Sequence, residues 1–161
     1  MKAAIKIKDL SYSFGNRAIL QDLSFAVPKG DFFIIIGPNG SGKTTLMRTI
    51  AGILKPRKGH IEIFHRRISS YKRKELARSV AFVPQGLPGD FPFRVAELVL
   101  MGRAPYNNTL GLETEEDHVV SRQAMQFTEI EHLADRKLNQ LSGGEQQRVF
   151  IARAICQEPK I

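Results

Sequence analysis

Residues 31–52 read DFFIIIGPNGSGKTTLMRTIAG, and the fold turns on this stretch. Phe32 to Ile36 is a short continuous apolar run, the pattern of a strand buried on both faces. Gly37-Pro38-Asn39-Gly40-Ser41-Gly42-Lys43-Thr44 follows at once, with Thr45 behind it, in the spacing of a phosphate-binding loop. Thr44 to Ala51 then reads as a helix that stops at Gly52. Glycines let the backbone curl until successive N–H groups converge on phosphate oxygens with no Cβ in the way. Lys43 supplies a point charge for the terminal phosphates, and the Thr44 hydroxyl can enter a Mg²⁺ shell. The helix that follows aims its positive end at the same anion. Strand, loop and helix in this order predict an α/β nucleotide site. They do not separate kinases, GTPases, helicases and transport ATPases.

Working outward, the 161 residues are 42% hydrophobic and 25% charged, which fits one globular domain or part of a larger one. No window approaches the length of continuous apolar sequence that a membrane helix needs. MKAAIKIKDL at the start alternates apolar and charged residues, as a strand does and a signal peptide does not. Cys156 is the single cysteine, which excludes an intrachain disulfide, and the cytoplasm is the expected compartment. His60, His65, His118 and His132 lack ligand spacing and read as structural. The net charge of +8 is concentrated in Lys55-Pro56-Arg57-Lys58 and in His65 through Lys74. Such runs suit an anionic membrane surface or nucleic acid. Phe64 and Tyr71 stand alone, however, without the interleaved aromatics that stack bases. A solvated surface is the plainer reading, and nucleic acid is not an expected partner.

Residues 3–8 and 18–27 read as strands joined through Gly15-Asn16, and Pro28-Lys29-Gly30 punctuates. His60 to Phe64 alternates as a further strand, a helix is expected near Arg73–Arg78, and Val80 to Val83 reads as a second buried strand ending at Pro84-Gln85. Gly86 to Pro92 reads as loop, Val95 to Met101 as an apolar helix, and Asn107-Asn108 as a surface turn. Thr114 to Thr128 reads as a helix whose acidic first turn, Glu115-Glu116-Asp117, suits the helix dipole. Residues from about 86 to 140 therefore look like a helical insertion in an α/β core.

Leu141-Ser142-Gly143-Gly144-Glu145-Gln146 opens the last helix. Ser142 and Glu145 stand in capping-box register, an ordinary helix start stabilised by about 1 kcal/mol. That leaves two glycines in the first turn unexplained, since each weakens a helix by roughly 0.5–1 kcal/mol relative to alanine. Bare N–H groups at a helix start are what an anion wants, so a second phosphate-binding surface is expected here.

LSGGE with the QQRV and IARA that follow, placed after GPNGSGKTT, resembles the signature of ABC-type ATP-binding subunits over the whole chain. The resemblance implies a P-loop NTPase core with a mostly parallel sheet, an N-terminal antiparallel β subdomain and an inserted helical subdomain. It divides one partial ATPase domain into residues 1–85 (core, β subdomain and phosphate loop), about 86–140 (helical subdomain) and 141–161 (signature helix and the start of the next core strand). Two subunits are implied to pair head to tail as a homodimer. Each ATP, with Mg²⁺, lies between the phosphate loop of one and Ser142, Gly143, Gly144 and Glu145 of the other. Phe14, beside Gly15, is implied to stack on adenine, with Tyr12 as the alternative. Gln85 is implied to touch Mg²⁺, together with Thr44, or the attacking water, and to sense the membrane partner.

The stretch FPFRVAELVLMGRAPY, residues 91–106, with Glu115-Glu116-Asp117 and IEHLADR at 130–136, is similar to importers of ferric siderophores, haem and cobalamin. The partners implied are integral membrane permease subunits and an extracytoplasmic substrate-binding protein, with this subunit at the cytoplasmic face of the membrane. The competing reading is a non-transport ABC ATPase of DNA repair or translation. Those carry long coiled coils, zinc modules or duplicated cassettes, and nothing of that size lies between Gly37 and Leu141. A third is a nucleotide-binding fragment without activity. By the resemblance, Lys160-Ile161 opens a strand whose Asp and catalytic Glu come shortly beyond Ile161, with a histidine later still. These 161 residues are therefore expected to hold the cradle without hydrolysing ATP. Phe33–Ile36 and Val80–Val83 are expected to show unpaired edges and uncovered apolar faces.

Overall fold

The computed structural model describes residues 2–86, 92–107 and 111–161, so the expected loop at 86–92 and the turn at Asn107-Asn108 lie partly outside the described residues. The chain forms two compact units, Met1–Leu76 and Ala77–Ile161.

The first unit is built on a four-stranded antiparallel sheet in the order β2-β1-β3-β4, with β1 at Ala3–Phe14, β2 at Arg17–Pro28, β3 at Lys58–Ile63 and β4 at Arg66–Arg67. β1 and β2 run longer than their apolar patterns, because pairing continues to Phe14↔Arg17 around a turn where Gly15 takes φ 55°. Ile5, Ile7 and Leu10 of β1 and Ile61 and Ile63 of β3 alternate inward and are buried. Each such side chain contributes about 1.5–3 kcal/mol through burial. β1 bulges at Asp9, a non-glycine with φ 48°, and Ser24 Oγ accepts the Asp9 N–H at 2.8 Å. β3 passes this bulge at Gly59, where an added Cβ would lie 2.2 Å from Lys8 O, so no side chain fits. The two-residue β4 was not foreseen from the sequence; Phe64 and His65, both at positive φ, turn β3 back onto it.

Helix α1, Lys43–Ile50, buries Leu46, Thr49 and Ile50, and Thr49 Oγ1 donates to Thr45 O at 2.7 Å. The short helix α2 spans Arg73–Ala77. Residues 32–36 form no regular strand, and no ladder partner for them occurs among the described residues. Phe32 is 92% and Ile36 90% exposed, while Phe33 stacks on Phe25 at 5.4 Å. A run apolar on both faces is hidden only when layers cover both faces of its sheet, and the exposure of Phe33, Ile34 and Ile36 is the uncovered state expected of Phe33–Ile36.

The second unit packs α3 (Val95–Leu100), α4 (Glu115–Phe127) and α5 (Gly143–Cys156) around one core. α3 buries Val95, Leu98 and Val99, the i, i+3, i+4 face of a helix. Val149, Phe150, Ala152 and Cys156 supply the matching face of α5. Of residues 80–83, Val80 is buried and Val83 exposed. Ile161 donates its N–H to Ser79 O at 3.0 Å and accepts the Ala81 N–H at 2.9 Å. These slanted bonds on either side of Val80 are those of a parallel pair, so the edge expected to be unpaired at Val80–Val83 is met by Ile161, although neither segment forms a regular strand.

Candidate functional site

The phosphate loop is preformed by its glycines. Gly42 takes φ 92° immediately before α1, where an added Cβ would meet Leu20 Cδ2 at 3.0 Å and Ile19 O at 3.1 Å. Gly40 takes φ 81°, and a Cβ on Gly37 would fall 2.9 Å from Ser41 Oγ. α1 has no side-chain cap and no acid in its first turn, so its leading N–H groups are left for an external acceptor. Lys43 Nζ folds back over the loop and donates to Gly37 O at 2.8 Å and Pro38 O at 2.7 Å. A phosphate would therefore meet a cation, bare N–H groups and a concavity that a Cβ would fill. The residues fit a polyphosphate. Pro38, Asn39 and Ser41 form the exposed rim, with Thr44 exposed and Thr45 half-buried.

The start of α5 is built the opposite way. Ser142 N and Oγ both donate to Glu145 Oε2 at 2.7 Å, and Glu145 N returns a bond to Ser142 Oγ at 3.4 Å. The Ser142 hydroxyl and N–H, with Arg148 and Arg136 in support, hold the Glu145 carboxyl below its ordinary range. Gly143 and Gly144 face open space: an added Cβ on either meets nothing within 4 Å.

The remaining expected residues sit as follows. Phe14 is 53% exposed at the β1–β2 turn, its ring edge-on to the half-buried Tyr12 at 5.0 Å. Gln85 is exposed in the second unit and Thr44 belongs to the first. No group of three or more His, Cys, Asp or Glu among the described residues is placed to hold a metal, and no described helix is long and apolar enough to cross a membrane.

Residues 20–161 match the model of the ABC transporter family. The chain belongs to that family. It is 37% identical over 161 residues to the petrobactin import ATP-binding protein FpuD of Bacillus anthracis, spanning 100% of this chain and 59% of the relative. It is 39% identical over 154 residues to the hemin import ATP-binding protein HmuV of Thermobifida fusca, spanning 96% of this chain and 54% of the relative. A solved nucleotide-free ATP-binding cassette from an ABC transporter superposes with a TM-score of 0.83 at 30% identity, over 98% of this chain and 66% of that one. The fold is thus the α/β P-loop fold of ABC ATPases with its antiparallel N-terminal sheet, and the chain spans little more than half the length of these curated relatives.

One polar cluster of this ABC chain escaped the sequence reading. Arg103 is buried and donates from Nε to Asp117 Oδ1 at 2.8 Å, and from Nη1 to Cys156 O at 3.1 Å and Glu158 Oε2 at 2.6 Å. Its guanidinium lies 4.0 Å from the centre of the Tyr106 ring. Burial presses against both charges of the pair. The Arg103 guanidinium and the Thr114 N–H and hydroxyl nevertheless hold Asp117 below the ordinary carboxylate range, while Asp117 and Glu158 hold Arg103 above its own. Asp117 stands in the first turn of α4 as expected, where Thr114 N and Oγ1 donate to its Oδ2, and its other oxygen also anchors a buried ion pair. Burial also pushes the neighbouring Cys156 thiol up to about 11, so it is a core side chain and not a nucleophile. The signal available in the sequence was an arginine, Arg103, alone between apolar Leu98-Val99-Leu100-Met101 and Ala104-Pro105.

Proposed function

We propose that this chain supplies the ATP-binding part of an ABC importer for an iron–siderophore, haem or cobalamin. In this reading, Gly37 to Thr45 hold the phosphates of MgATP and Phe14 (or Tyr12) stacks on the base. Ser142, Gly143, Gly144 and Glu145 meet the ATP of a second copy paired head to tail. The observation that carries it is the pair of glycines at the start of α5, where an added Cβ meets no atom of the described residues within 4 Å and the backbone carries no side chain. The names of the relatives, petrobactin import and hemin import, support the cargo class. Residues 1–85, about 86–140 and 141–161 act as core with phosphate loop, helical subdomain and signature segment. Permease subunits, met beside Gln85, and an extracytoplasmic binding protein complete the importer, which places this subunit at the cytoplasmic face of the membrane.

Mg²⁺, held by the Thr44 hydroxyl with Gln85, would neutralise charge on the β- and γ-phosphates. Lys43 exchanges its bonds to Gly37 O and Pro38 O for the incoming phosphates, and so brings its charge where it is needed without leaving the loop. α1 adds its N-terminal N–H groups. In the assembled importer ATP closes the pair of subunits, closure moves the permease, and hydrolysis resets it.

Thermal melts with and without MgATP test the site. At ligand a hundredfold above Kd, binding stabilises by about 2.7 kcal/mol. We expect a rise in Tm that Lys43→Ala removes. A wild-type chain that melts cooperatively with no rise would sink the proposal.

A further inference from the structure

The turn at 101–106 closes on the far end of the signature helix. Arg103 donates to Cys156 O, and Tyr106 Oη donates to Gln157 O at 3.2 Å. One segment therefore takes up two of the carbonyls that a helix C-terminus leaves unpaired. Gln157 carries the connection onward, donating from Nε2 to Ala77 O and to Val80 O, the latter at 2.9 Å. Arg78, just beyond Ala77, lies 4.8 Å from the same Tyr106 ring and donates to Pro105 O at 2.9 Å. All these residues belong to the second unit.

Glu158 is the unusual member. It takes φ 47°, the left-handed conformation in which helices commonly end on glycine. A glutamate is strained there, and what the chain gains is a side chain that reaches Arg103 at 2.6 Å while its own body remains 56% exposed. Immediately beyond it, Lys160 and Ile161 donate to Ser79 O, and Ala81 donates to Ile161 O.

We infer that Arg103 is a positioning residue: through Glu158 and Cys156 O it fixes the exit of α5 and thereby the register in which residues 160–161 lie beside residues 79–81. Its other bond, to Asp117, ties that exit to α4, so α4, α5 and the approach to residues 160–161 are held by one guanidinium. Arginine suits the task because its planar fork donates in several directions at once, which a lysine ammonium on a flexible stem does not. Its bearing on catalysis rests on the ATPase reading above, in which the opposite end of α5 carries the glycines that meet the ATP of a second copy.

Amide hydrogen exchange on the full chain without nucleotide tests the inference. Glu158→Gln leaves the buried Arg103–Asp117 pair intact, so the fold survives, and removes only the charge that Arg103 holds. Exchange at Ala81, Lys160 and Ile161 is expected to quicken about tenfold, with the amides of Val149 and Phe150 unchanged. Glu158→Gly separates pairing from backbone strain. Glycine suits φ 47° better, so a purely local role slows exchange at these amides, whereas positioning by Arg103 quickens it. Unchanged exchange at the three amides in Glu158→Gln, a uniform acceleration across α4 and α5, or slower exchange in Glu158→Gly overturns the inference. The MgATP-dependent melt of the same wild-type sample reports separately on the ATPase reading, so either can fail without the other.

Discussion

Two helices of this chain carry glycines at their starts, and the glycines are there for different reasons. At the start of α1, Gly42 sits at φ 92° with Leu20 and Ile19 within 3.1 Å of where a Cβ would be. The loop cannot be made otherwise, and the helix start is left without cap or acid. At the start of α5, Gly143 and Gly144 lie in the helix with open space around them, behind a closed Ser142–Glu145 box. The first set of glycines serves the fold of its own chain. The second meets no close neighbour among the described residues, which is how a surface shaped for another molecule looks from one side.

The largest expected effect that separates the two is at Gly42. Gly42→Ala forces an L side chain into the left-handed region and against Ile19 O, and is expected to destabilise the first unit by about 1–2 kcal/mol. Denaturant unfolding checks this as a lower midpoint at unchanged slope. An unchanged midpoint would show that the loop relaxes and that its φ is not obligatory.

A smaller effect is expected at Ser142. Ser142→Ala removes the hydroxyl that accepts the Glu145 N–H, and is expected to cost about 1 kcal/mol, measured the same way. The same box has a pH signature. The folded Glu145 carboxyl lies below its ordinary range, so what it contributes is present at neutral pH and is lost as pH falls through that lowered value. Amide protection at the start of α5 should therefore decline on acidification, while α1, with no acid in its first turn, should show no matching loss. Parallel decline at both helix starts would show that acid opens the chain generally.

The sequence carried the phosphate loop, the signature helix and the paired N-terminal strands, because each depends on local rules: glycines where φ is positive, a Ser-x-x-Glu box, alternation along a strand. It also carried the uncovered state of Phe33–Ile36, since a run apolar on both faces needs layers over both, but not the absence of a regular strand there. It did not carry the Arg103–Asp117–Glu158 cluster. Asp117 has an adequate local explanation in the first turn of α4, and nothing in the spacing of 103, 117 and 158 brings them together. Long-range ion pairs have no period to read. β4 was missed for another reason: two residues are too few to alternate, and its turn uses Phe64 and His65 at positive φ where glycine or asparagine would have announced it.

The smallest effect has the opposite sign and bears hardest on the glycines of α5. Gly144→Ala replaces the poorest helix former but proline at a position where the added methyl meets no atom within 4 Å. The chain alone should gain roughly 0.5–1 kcal/mol, seen as a higher Tm. A natural sequence that forgoes this gain at two adjacent positions keeps the bare backbone for a purpose outside the chain. If that purpose is the phosphate of a second copy, Gly144→Ala should also weaken MgATP-dependent pairing, read by sedimentation velocity, while leaving nucleotide affinity at Lys43 unchanged. A variant that is more stable and pairs as well as wild type would leave these glycines without a function, and with them the head-to-tail arrangement in which they were given one.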